Sequence, residues 1–270
     1  MPRDDAGADA VMIRLAGAGK RFVTRDRDVE ALQPIDLTVR AHEFVALVGP
    51  SGCGKSTILN LIAGLLQPSS GAVSYDGAPV AGPNRRVGYM TQKDTLLPWR
   101  SAADNVRIAL ELKCRGVPRA EADARVAQMI DLVGLAGFER HYPAELSGGM
   151  RKRVALARTL IYEPETLLMD EPFGALDAQL KLLMLDQLQT LTRQRCMTVV
   201  FVTHDLGEAI TLADRVVVFS ARPGRIRTVR TVDLPRPRDV FRIRFTEAFA
   251  RLNEELWDEL KDEVARGTDV

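Results

Sequence analysis

One nine-residue segment constrains this chain more than any other: GPSGCGKST, residues 49–57. It follows the apolar run Phe44–Val48 and precedes a helical pattern, so the order is strand, glycine-rich turn, helix. Glycines at this spacing let successive N–H groups point at a phosphate, and the helix adds the positive end of its dipole. Lys55 can then reach the β- and γ-phosphates, and the Ser56 hydroxyl can ligate Mg²⁺. The segment predicts a nucleotide-binding P-loop, and the flanking strand and helix disfavour the alternative, a glycine turn without a ligand.

Apolar strand-like runs and helical patterns alternate along the rest of the chain. Runs at 166–169, 198–202 and 215–219 have helical patterns between them, which is typical of a parallel sheet in an α/β fold. Helical spacing also extends over about 104–162, ahead of those strands. This interruption predicts a helical subdomain inserted into the middle of the chain.

Composition excludes several classes of protein. Lys plus Arg number 37 and Asp plus Glu 36, so a net charge of +1 argues against a globally basic nucleic-acid binder. No apolar run approaches the roughly 18 residues of a membrane span, and residues 1–10 lack the apolar stretch of a secretory signal. The three cysteines are too few and too scattered for a disulfide framework or a zinc site. We therefore expect a protein of the reducing cytosol.

Two further motifs extend the nucleotide hypothesis. The run TLLMDEP, residues 166–172, is an apolar strand that ends in two acids. After a P-loop, Asp170 fits a Mg²⁺ ligand and Glu171 can polarise an attacking water, whereas alone they would fit a solvated strand end. The segment LSGGM, residues 146–150, places Ser147 as an N-cap before two glycines, which makes a second anion-binding helix N-terminus. Since a P-loop already surrounds one side of a nucleotide, the second turn is best used on another subunit's nucleotide.

Together the motifs resemble the ATP-binding subunit of an ABC transporter over residues 11–235. They occur in the order of that family: P-loop, Gln92 after RRVGYMT, LSGGM, the Asp170-Glu171 pair, GALD at 174–177, and His204. The resemblance implies an α/β fold: a P-loop NTPase (RecA-like) core with an N-terminal antiparallel β subdomain and an inserted α-helical subdomain, roughly 93–162. A C-terminal linker and amphipathic helix would follow over 236–270.

The resemblance also implies roles for individual residues. The catalytic residues are expected to be Glu171, which activates water, His204, which contacts the γ-phosphate, and Gln92. The expected Mg²⁺ ligands are Ser56, Gln92 and Asp170. Phe22 resembles the aromatic, usually Tyr, that stacks on adenine, and the alternative is a core Phe at a strand end. The nucleotide-binding residues are expected to be Phe22, Gly49, Pro50, Ser51, Gly52, Cys53, Gly54, Lys55, Ser56, Thr57, Ser147, Gly148, Gly149 and Asp177.

Three segments are similar to importers of the nitrate, sulfonate, taurine and bicarbonate type: LLPW after Gln92, and the stretches 213–226 and 233–239. The resemblance implies a bacterial importer subunit that hydrolyses ATP with Mg²⁺ as a head-to-tail dimer, peripheral to the cytoplasmic face of the inner membrane. It implies permease subunits as partners and, indirectly, a periplasmic or lipoprotein solute-binding protein, without nucleic acid. The alternative function is a soluble ABC-type ATPase outside transport. The residues expected to contact the permease are Leu96, Leu97, Pro98 and Trp99; the alternative is a buried loop hydrophobe packed on the helical subdomain.

The end of the chain divides by charge. Residues 221–244 hold eight Arg and two Asp, and this Arg-rich segment is interpreted as a solvated edge strand and linker. The following segment is acidic, and its apolar residues lie on one helical stripe, which predicts an amphipathic helix packed on the core or on the dimer. The stripe consists of Phe245, Phe249, Leu252, Leu256 and Leu260.

Overall fold

The computed structural model describes residues 10–23, 28–114, 116–174 and 176–267. The strands are β1 (Val11–Val23), β2 (Asp28–Arg40), β3 (Phe44–Val48), β4 (Ser70–Tyr75), β5 (Ala78–Pro79), β6 (Val87–Met90), β7 (Thr166–Asp170), β8 (Thr198–Val202), β9 (Arg215–Phe219) and β10 (Ile226–Thr231). The α-helices are α1 (Lys55–Ile62), α2 (Ala102–Lys113), α3 (Arg119–Leu132), α4 (Gly148–Leu160), α5 (Ala178–Gln194), α6 (Leu206–Leu212) and α7 (Glu247–Gly267), with short 3₁₀ helices at Pro143–Glu145 and Ile243–Phe245.

The main sheet has six strands in the order β10-β9-β3-β8-β7-β6, and β10 alone among them runs antiparallel to its neighbour. Every residue of β3, β7 and β8 is buried, as expected for parallel strands with both faces covered. A separate four-stranded antiparallel sheet has the order β2-β1-β4-β5. The predicted fold class, a P-loop NTPase core with an antiparallel β subdomain and a helical insertion, is confirmed.

Alternate residues of β3 enter the two cores that flank the main sheet. Val45 and Leu47 pack with α1 and the antiparallel sheet, whereas Phe44, Ala46 and Val48 pack with α5, α6 and α7. Helices α2, α3 and α4 share a third apolar cluster, which is the core of the helical insertion. In the part of the chain that the structure describes, no helix is long and apolar enough to span a membrane.

The topology gathers three loops at one edge of the main sheet. Strand β3 is followed by the P-loop, β7 ends at Asp170, and β8 leads to His204. Because β8 lies between β3 and β7, the carboxyl ends of these parallel strands are neighbours. The loops that follow parallel strands at such an edge form the usual ligand site of α/β proteins.

Helix α7 packs on the main core, and one part of the predicted stripe is wrong. Phe249, Leu256 and Leu260 are buried in the core that contains β3, and Leu252 packs against it. Phe245 instead lies before the helix and is 82% exposed. The helix begins two residues after Phe245, at Glu247, because the Thr246 hydroxyl caps it by accepting a hydrogen bond from the backbone N–H of Phe249.

The Arg-rich segment contains the edge strand β10, and six of its eight arginines are exposed as predicted, whereas Arg236 is half-buried and Arg238 is buried. Arg227 and Arg230 form ion pairs with acids of α7, and Arg236 pairs with Asp214. Arg238 is 3% exposed and donates to four backbone carbonyls, and its burial lowers its pKa to about 10. Sequence composition could not reveal these pairings because the partners are 6 to 36 residues away.

Candidate nucleotide-binding site

The P-loop has the backbone shape that its glycines suggest. Gly52 and Gly54 have φ values of 75° and 97°, and a Cβ on Gly54 would lie 2.8 Å from the Ala31 carbonyl oxygen. The Lys55 side chain is buried, and its Nζ donates to the carbonyl oxygens of Gly49 and Pro50, both at 2.7 Å. Helix α1 begins at Lys55 without a side-chain N-cap, so its first-turn N–H groups are suited to an anion.

Asp170 and Ser56 form the candidate Mg²⁺ site. Asp170 ends β7 and is 4% exposed, and it lines the same cleft as Ser56, whose hydroxyl favours the charged form of the carboxylate. Burial raises the pKa of Asp170, with a smaller contribution from the Glu171 charge, while the Ser56 hydroxyl and the Lys55 charge oppose the rise. A hydroxyl and a carboxylate are the oxygen ligands that Mg²⁺ takes beside phosphate and water oxygens. The described residues contain no group of three or more His, Cys, Asp or Glu able to hold a metal by themselves. The pair therefore fits a metal held jointly with the phosphates.

Glu171 and His204 lie next to each other at the ends of β7 and β8. The Glu171 carboxylate is 3.6 Å from His204 Nδ1, and both side chains reach solvent. Glu171 has a left-handed φ of 48°, and its backbone N–H donates to the Val202 carbonyl at 3.0 Å. Left-handed backbone is uncommon and costly for a residue with a side chain, and such strain clusters at functional sites. The geometry suits a carboxylate that acts on a water beside a phosphate, with the histidine at hand.

A single cleft collects most of the residues expected from sequence. It is lined by Phe22, Ser51, Gly52, Gly54, Lys55, Ser56, Thr57, Gln92, Asp170 and Glu171, together with Val29, Ala31, Val202 and Arg222. Phe22 is 38% exposed, so its ring is accessible to an adenine base. Gly49, Pro50 and Cys53 do not line the cleft; Cys53 is fully buried, and the other two supply the carbonyls that hold Lys55.

Four further nucleotide-binding residues expected from sequence, Ser147, Gly148, Gly149 and Asp177, also lie outside the lining of this cleft. Ser147 caps α4, and its hydroxyl accepts from the Met150 N–H at 3.2 Å, with Gly148 and Gly149 directly after it. Asp177 caps α5 and accepts from the Leu180 N–H at 3.0 Å. Ser147, Gly148 and Asp177 are exposed. The structure thus leaves these two helix N-termini on the surface of the chain.

Comparison with known proteins decides the family. The family model described as ABC transporter matches residues 32–174. This chain belongs to the ABC transporter family. It is 41% identical to an aliphatic sulfonates import ATP-binding protein of Bacillus cereus, over 84% of this chain and 88% of that protein. It is 44% identical to a nitrate import ATP-binding protein of Synechococcus elongatus, over 84% of this chain and 34% of that protein. The predicted likeness to sulfonate and nitrate importers is confirmed.

A solved structure extends the comparison to the fold of the cassette. The chain resembles a dimeric, post-hydrolysis state of an ATP-binding cassette bound to ADP and Pi, with a TM-score of 0.77 and 31% identity. The match covers 83% of this chain and 100% of that one. With the family match, it identifies this chain as a nucleotide-binding ATPase subunit, as predicted.

In this ATPase subunit, basic residues of α4 hold the segment that contains Gln92. The sequence motifs did not predict these contacts. The Lys152 ammonium donates to the Gln92 carbonyl oxygen. Arg151 Nε is 3.0 Å from an Asp94 carboxylate oxygen, and Arg158 donates to the carbonyls of Asp94 and Thr95. Burial lowers the pKa values of Lys152 and Arg158. Arg151 and Lys152 belong to the run RKR directly after LSGGM. That run predicts positive charge on α4 but does not indicate which groups the cations contact.

Asn105 on α2 shapes the LLPW loop of the cassette. Its side chain is fully buried, accepts from the Leu97 N–H at 2.8 Å, and donates to the carbonyls of Leu97 and Arg100. Leu96 packs against the main core and the helical core, whereas Trp99 is 71% exposed. Of the four residues predicted to contact a permease, Pro98 and Trp99 are exposed, whereas Leu96 and Leu97 are half-buried.

Proposed function

We propose that two copies of this ATPase subunit bind ATP head to tail and thereby drive the import of a small anion through a membrane permease. The observation that carries the proposal is the exposure of Ser147, Gly148 and Asp177, outside the cleft that holds the P-loop. A helix N-terminus with glycines is suited to an anion, and the cleft that Lys55 lines does not include this one. A second copy, placed head to tail, would bring that turn to the γ-phosphate. The dimeric state of the similar cassette supports this arrangement.

Within the cleft, each side chain has a role that its surroundings support. Phe22 stacks on adenine, Lys55 binds the β- and γ-phosphates, and Thr57 adds a hydroxyl at the start of α1. Ser56, Asp170 and Gln92 would hold Mg²⁺, whose bound charge would screen the phosphates. Glu171 accepts a proton from the attacking water, and His204, 3.6 Å away, steadies the charge that develops.

The importer assignment rests on relatives and on the LLPW loop. Cassettes named for sulfonate import and for nitrate import are 41% and 44% identical to this chain, so cassette sequence does not distinguish these anions. Substrate choice would then belong to the permease and to a periplasmic or lipoprotein solute-binding protein. The subunit would sit peripherally at the cytoplasmic face of the inner membrane, with Trp99 and Pro98 against the permease.

The test is reconstitution of the subunit with its permease and solute-binding protein in lipid nanodiscs. ATPase activity is measured with the binding protein loaded in turn with an alkyl sulfonate, taurine, nitrate or bicarbonate. Stimulation by one of these anions supports the importer function. Steady hydrolysis by a dimer that forms no complex with the permease would favour a soluble ABC-type ATPase.

Trp99→Ala tests the docking loop within that assay. Since truncating a buried interface aromatic commonly costs about 2 kcal/mol or more, we expect loss of permease binding and of anion stimulation. ATP binding by the isolated subunit should stay within about twofold of wild type, since Trp99 lies outside the cleft. Leu112→Ala is the matched control because Leu112 is also 71% exposed and lies on nearby α2. Full assembly of Trp99→Ala with the permease would overturn the docking role.

A further inference from the structure

One arginine of the nucleotide cleft, Arg222, has no role among the site residues described above. Arg222 follows β9, lines the cleft, and donates through Nε to the Gly52 carbonyl of the P-loop at 3.3 Å. Arg227, Arg230 and Arg236 of the same Arg-rich segment are each paired with a carboxylate. Arg222 has no carboxylate partner in the part of the chain that the structure describes. Its remaining N–H donors therefore stay available to a ligand in the cleft.

The turn that carries Arg222 is locked between the P-loop and β2. A Cβ on Gly224 would lie 1.8 Å from the Cys53 carbonyl oxygen, so only glycine fits there. The Gly224 N–H donates to the Ala31 carbonyl at 3.2 Å, and its own carbonyl accepts from Gln33 at 2.9 Å. Arg222 is thus fixed beside the wall formed by Phe22, Val29 and Ala31, where that wall meets the P-loop.

Sheet order places Arg222 and Glu171 on opposite sides of the P-loop. Arg222 follows β9, which is one neighbour of β3, whereas Glu171 follows β7, which lies beyond β8 on the other side. Glu171, Gln92 and His204 are the residues assigned to the γ-phosphate and the attacking water. The turn that carries Arg222 also contacts Ala31 of β2, close to Val29, which pairs with Phe22. Arg222 therefore lies at the end of the cleft nearer Phe22, where the ribose and the first phosphates would lie.

Charge in the cleft favours a phosphate as the ligand of Arg222. The charged side chains that line the cleft are Lys55, Arg222, Asp170 and Glu171. Without Arg222, one cation would face two carboxylates and a polyphosphate. A guanidinium binds phosphate oxygens with parallel N–H donors, and these charge-assisted bonds are stronger than neutral ones.

Helix α7 supports the residue next to Arg222. Glu263 is 2% exposed, and its Oε2 accepts from the Ala221 N–H at 2.9 Å. Its Oε1 accepts from Arg227 at 2.6 Å, which anchors the carboxylate to β10. We propose that Arg222 binds the α- and β-phosphates of the nucleotide, and that Glu263 is a positioning residue that connects the C-terminal helix to this contact. The inference builds on the nucleotide binding of the proposed function.

The experiment measures nucleotide dissociation constants by isothermal titration calorimetry at about 150 mM salt. Arg222→Ala should raise the dissociation constants of ATP and ADP by the same factor, about 10-fold. The reason is that a hydrogen bond to a charged group is lost at phosphates that both nucleotides share. If the wild-type chain binds GTP, its dissociation constant for GTP should rise by the same factor, since the contact does not involve the base. Arg222→Lys should recover part of the loss. Arg225→Ala, an exposed arginine three residues along, is the matched control.

The outcomes separate this inference from the proposed function. Binding of ATP by the wild-type chain tests the function itself and is measured first. If wild type binds ATP and Arg222→Ala binds it equally well, the contact does not exist. If Arg222→Ala loses affinity for ATP but not for ADP, Arg222 acts at the γ-phosphate, and the placement proposed here is wrong.

A double-variant cycle tests the role of α7. Glu263→Met keeps the volume of the side chain and removes the acceptor of the Ala221 N–H; we expect ATP affinity to fall about threefold. Combined with Arg222→Ala, it should add nothing, since both changes act through one contact. Independent, additive losses would overturn the positioning role. Arg227→Gln removes the ion pair but leaves the Ala221 bond, and thermal unfolding of each variant checks that the fold is kept.

Discussion

Two glycine-rich helix N-termini in this molecule are built in opposite ways. Helix α1 starts inside the cleft without a side-chain cap, and the buried Lys55 lies among carbonyls of its own loop. Helix α4 starts on the surface, and the Ser147 hydroxyl already satisfies the Met150 N–H. The first N-terminus therefore presents uncapped N–H groups to an anion, whereas the second has one of its N–H groups satisfied by the chain's own Ser147 hydroxyl. This difference fits the proposal that the two turns serve one nucleotide from two different molecules.

The two turns are nevertheless linked inside each chain. Helix α4 begins at the exposed turn and holds the Gln92 segment through Arg151, Lys152 and Arg158. Gln92 itself lines the cleft of the P-loop. A displacement of α4 by a second molecule would therefore move a residue of the first molecule's own site.

The largest expected effect is a loss of turnover in Glu171→Gln, a change that separates ATP hydrolysis from ATP binding. Glu171→Gln keeps the shape of the side chain and removes its charge, so turnover should fall by about 10²–10⁴-fold, the usual contribution of a positioned base. ATP binding should persist, and analytical ultracentrifugation should find an ATP-dependent dimer. Glu165→Gln, an exposed acid paired with Arg86, is the control and should keep full turnover. Turnover like wild type in Glu171→Gln would remove Glu171 from the mechanism.

Gly149→Asp should prevent phosphate binding at the exposed turn before α4 while the fold is kept. A carboxylate in the first turn of α4 is favourable to the helix but repels a phosphate by about 4 kcal/mol at 4 Å and an effective dielectric constant of 20. Turnover should fall by about 10²-fold or more, and ATP binding by the monomer should remain. Mixed with Lys55→Ala chains, which have the complementary defect, it should regain part of the turnover in hybrid dimers.

One result of the mixing experiment would contradict a nucleotide shared between two chains. Each hybrid dimer contains one complete site only if the nucleotide is shared between chains. If the mixture is as inactive as its components while hybrid dimers form, the two turns do not serve one nucleotide. Gly149→Ala is the control, since it adds a methyl group without charge.

A smaller effect is expected at the adenine end. Phe22→Ala should raise the dissociation constant of ATP by about 5–100-fold, because stacking of a base on an aromatic ring is worth about 1–3 kcal/mol. Phe22→Tyr should bind at least as well as wild type. Val23→Ala is the matched control, since Val23 is the next residue and is 74% exposed. A fluorescent-nucleotide titration measures all three, and unchanged affinity in Phe22→Ala would make the ring part of the strand rather than of the site.

The smallest effect tests the self-capped turn directly. Ser147→Ala removes the cap of α4 and should lower the free energy of unfolding by about 1 kcal/mol, measured by urea denaturation. Helix α1 has no side-chain cap to lose, so this cost is specific to the surface turn. Ser147→Asp should retain stability while impairing turnover, because the new carboxylate caps the helix but repels phosphate. Equal stability of Ser147→Ala and wild type would contradict the capping geometry.

The sequence predicted the parts of the site that lie in short segments. The P-loop, the Asp170-Glu171 pair and the LSGGM turn each need only neighbouring residues, so spacing alone revealed them. The contacts of Lys152 and Arg222 could not be predicted in this way. Lys152 meets a carbonyl 60 residues away, and Arg222 meets one 170 residues away. Only the folded sheet brings such segments together.

The end of the chain shows the same limit for the fold. The apolar periodicity of α7 was read correctly from Phe249 onward, but periodicity continued through Phe245, which the Thr246 cap excludes from the helix. For Arg238, charge alone predicted exposure, whereas carbonyls at the end of α6 and β10 bury it. Charge composition and hydrophobic periodicity describe short segments of the chain. They do not reveal which backbone carbonyl groups lack a partner in the fold and can accept from an arginine.

The central position of β3 also has a consequence for synthesis of the protein. Phe44 pairs beside Val199, and Val45 beside Arg215, so both neighbours of β3 are made more than 150 residues later. At about 5–20 residues per second, the ribosome needs about 8–30 s to supply them. Throughout that interval, five apolar residues have two open strand edges, which is a hazard for aggregation. The main sheet, and with it the nucleotide site, can therefore be completed only near the end of translation.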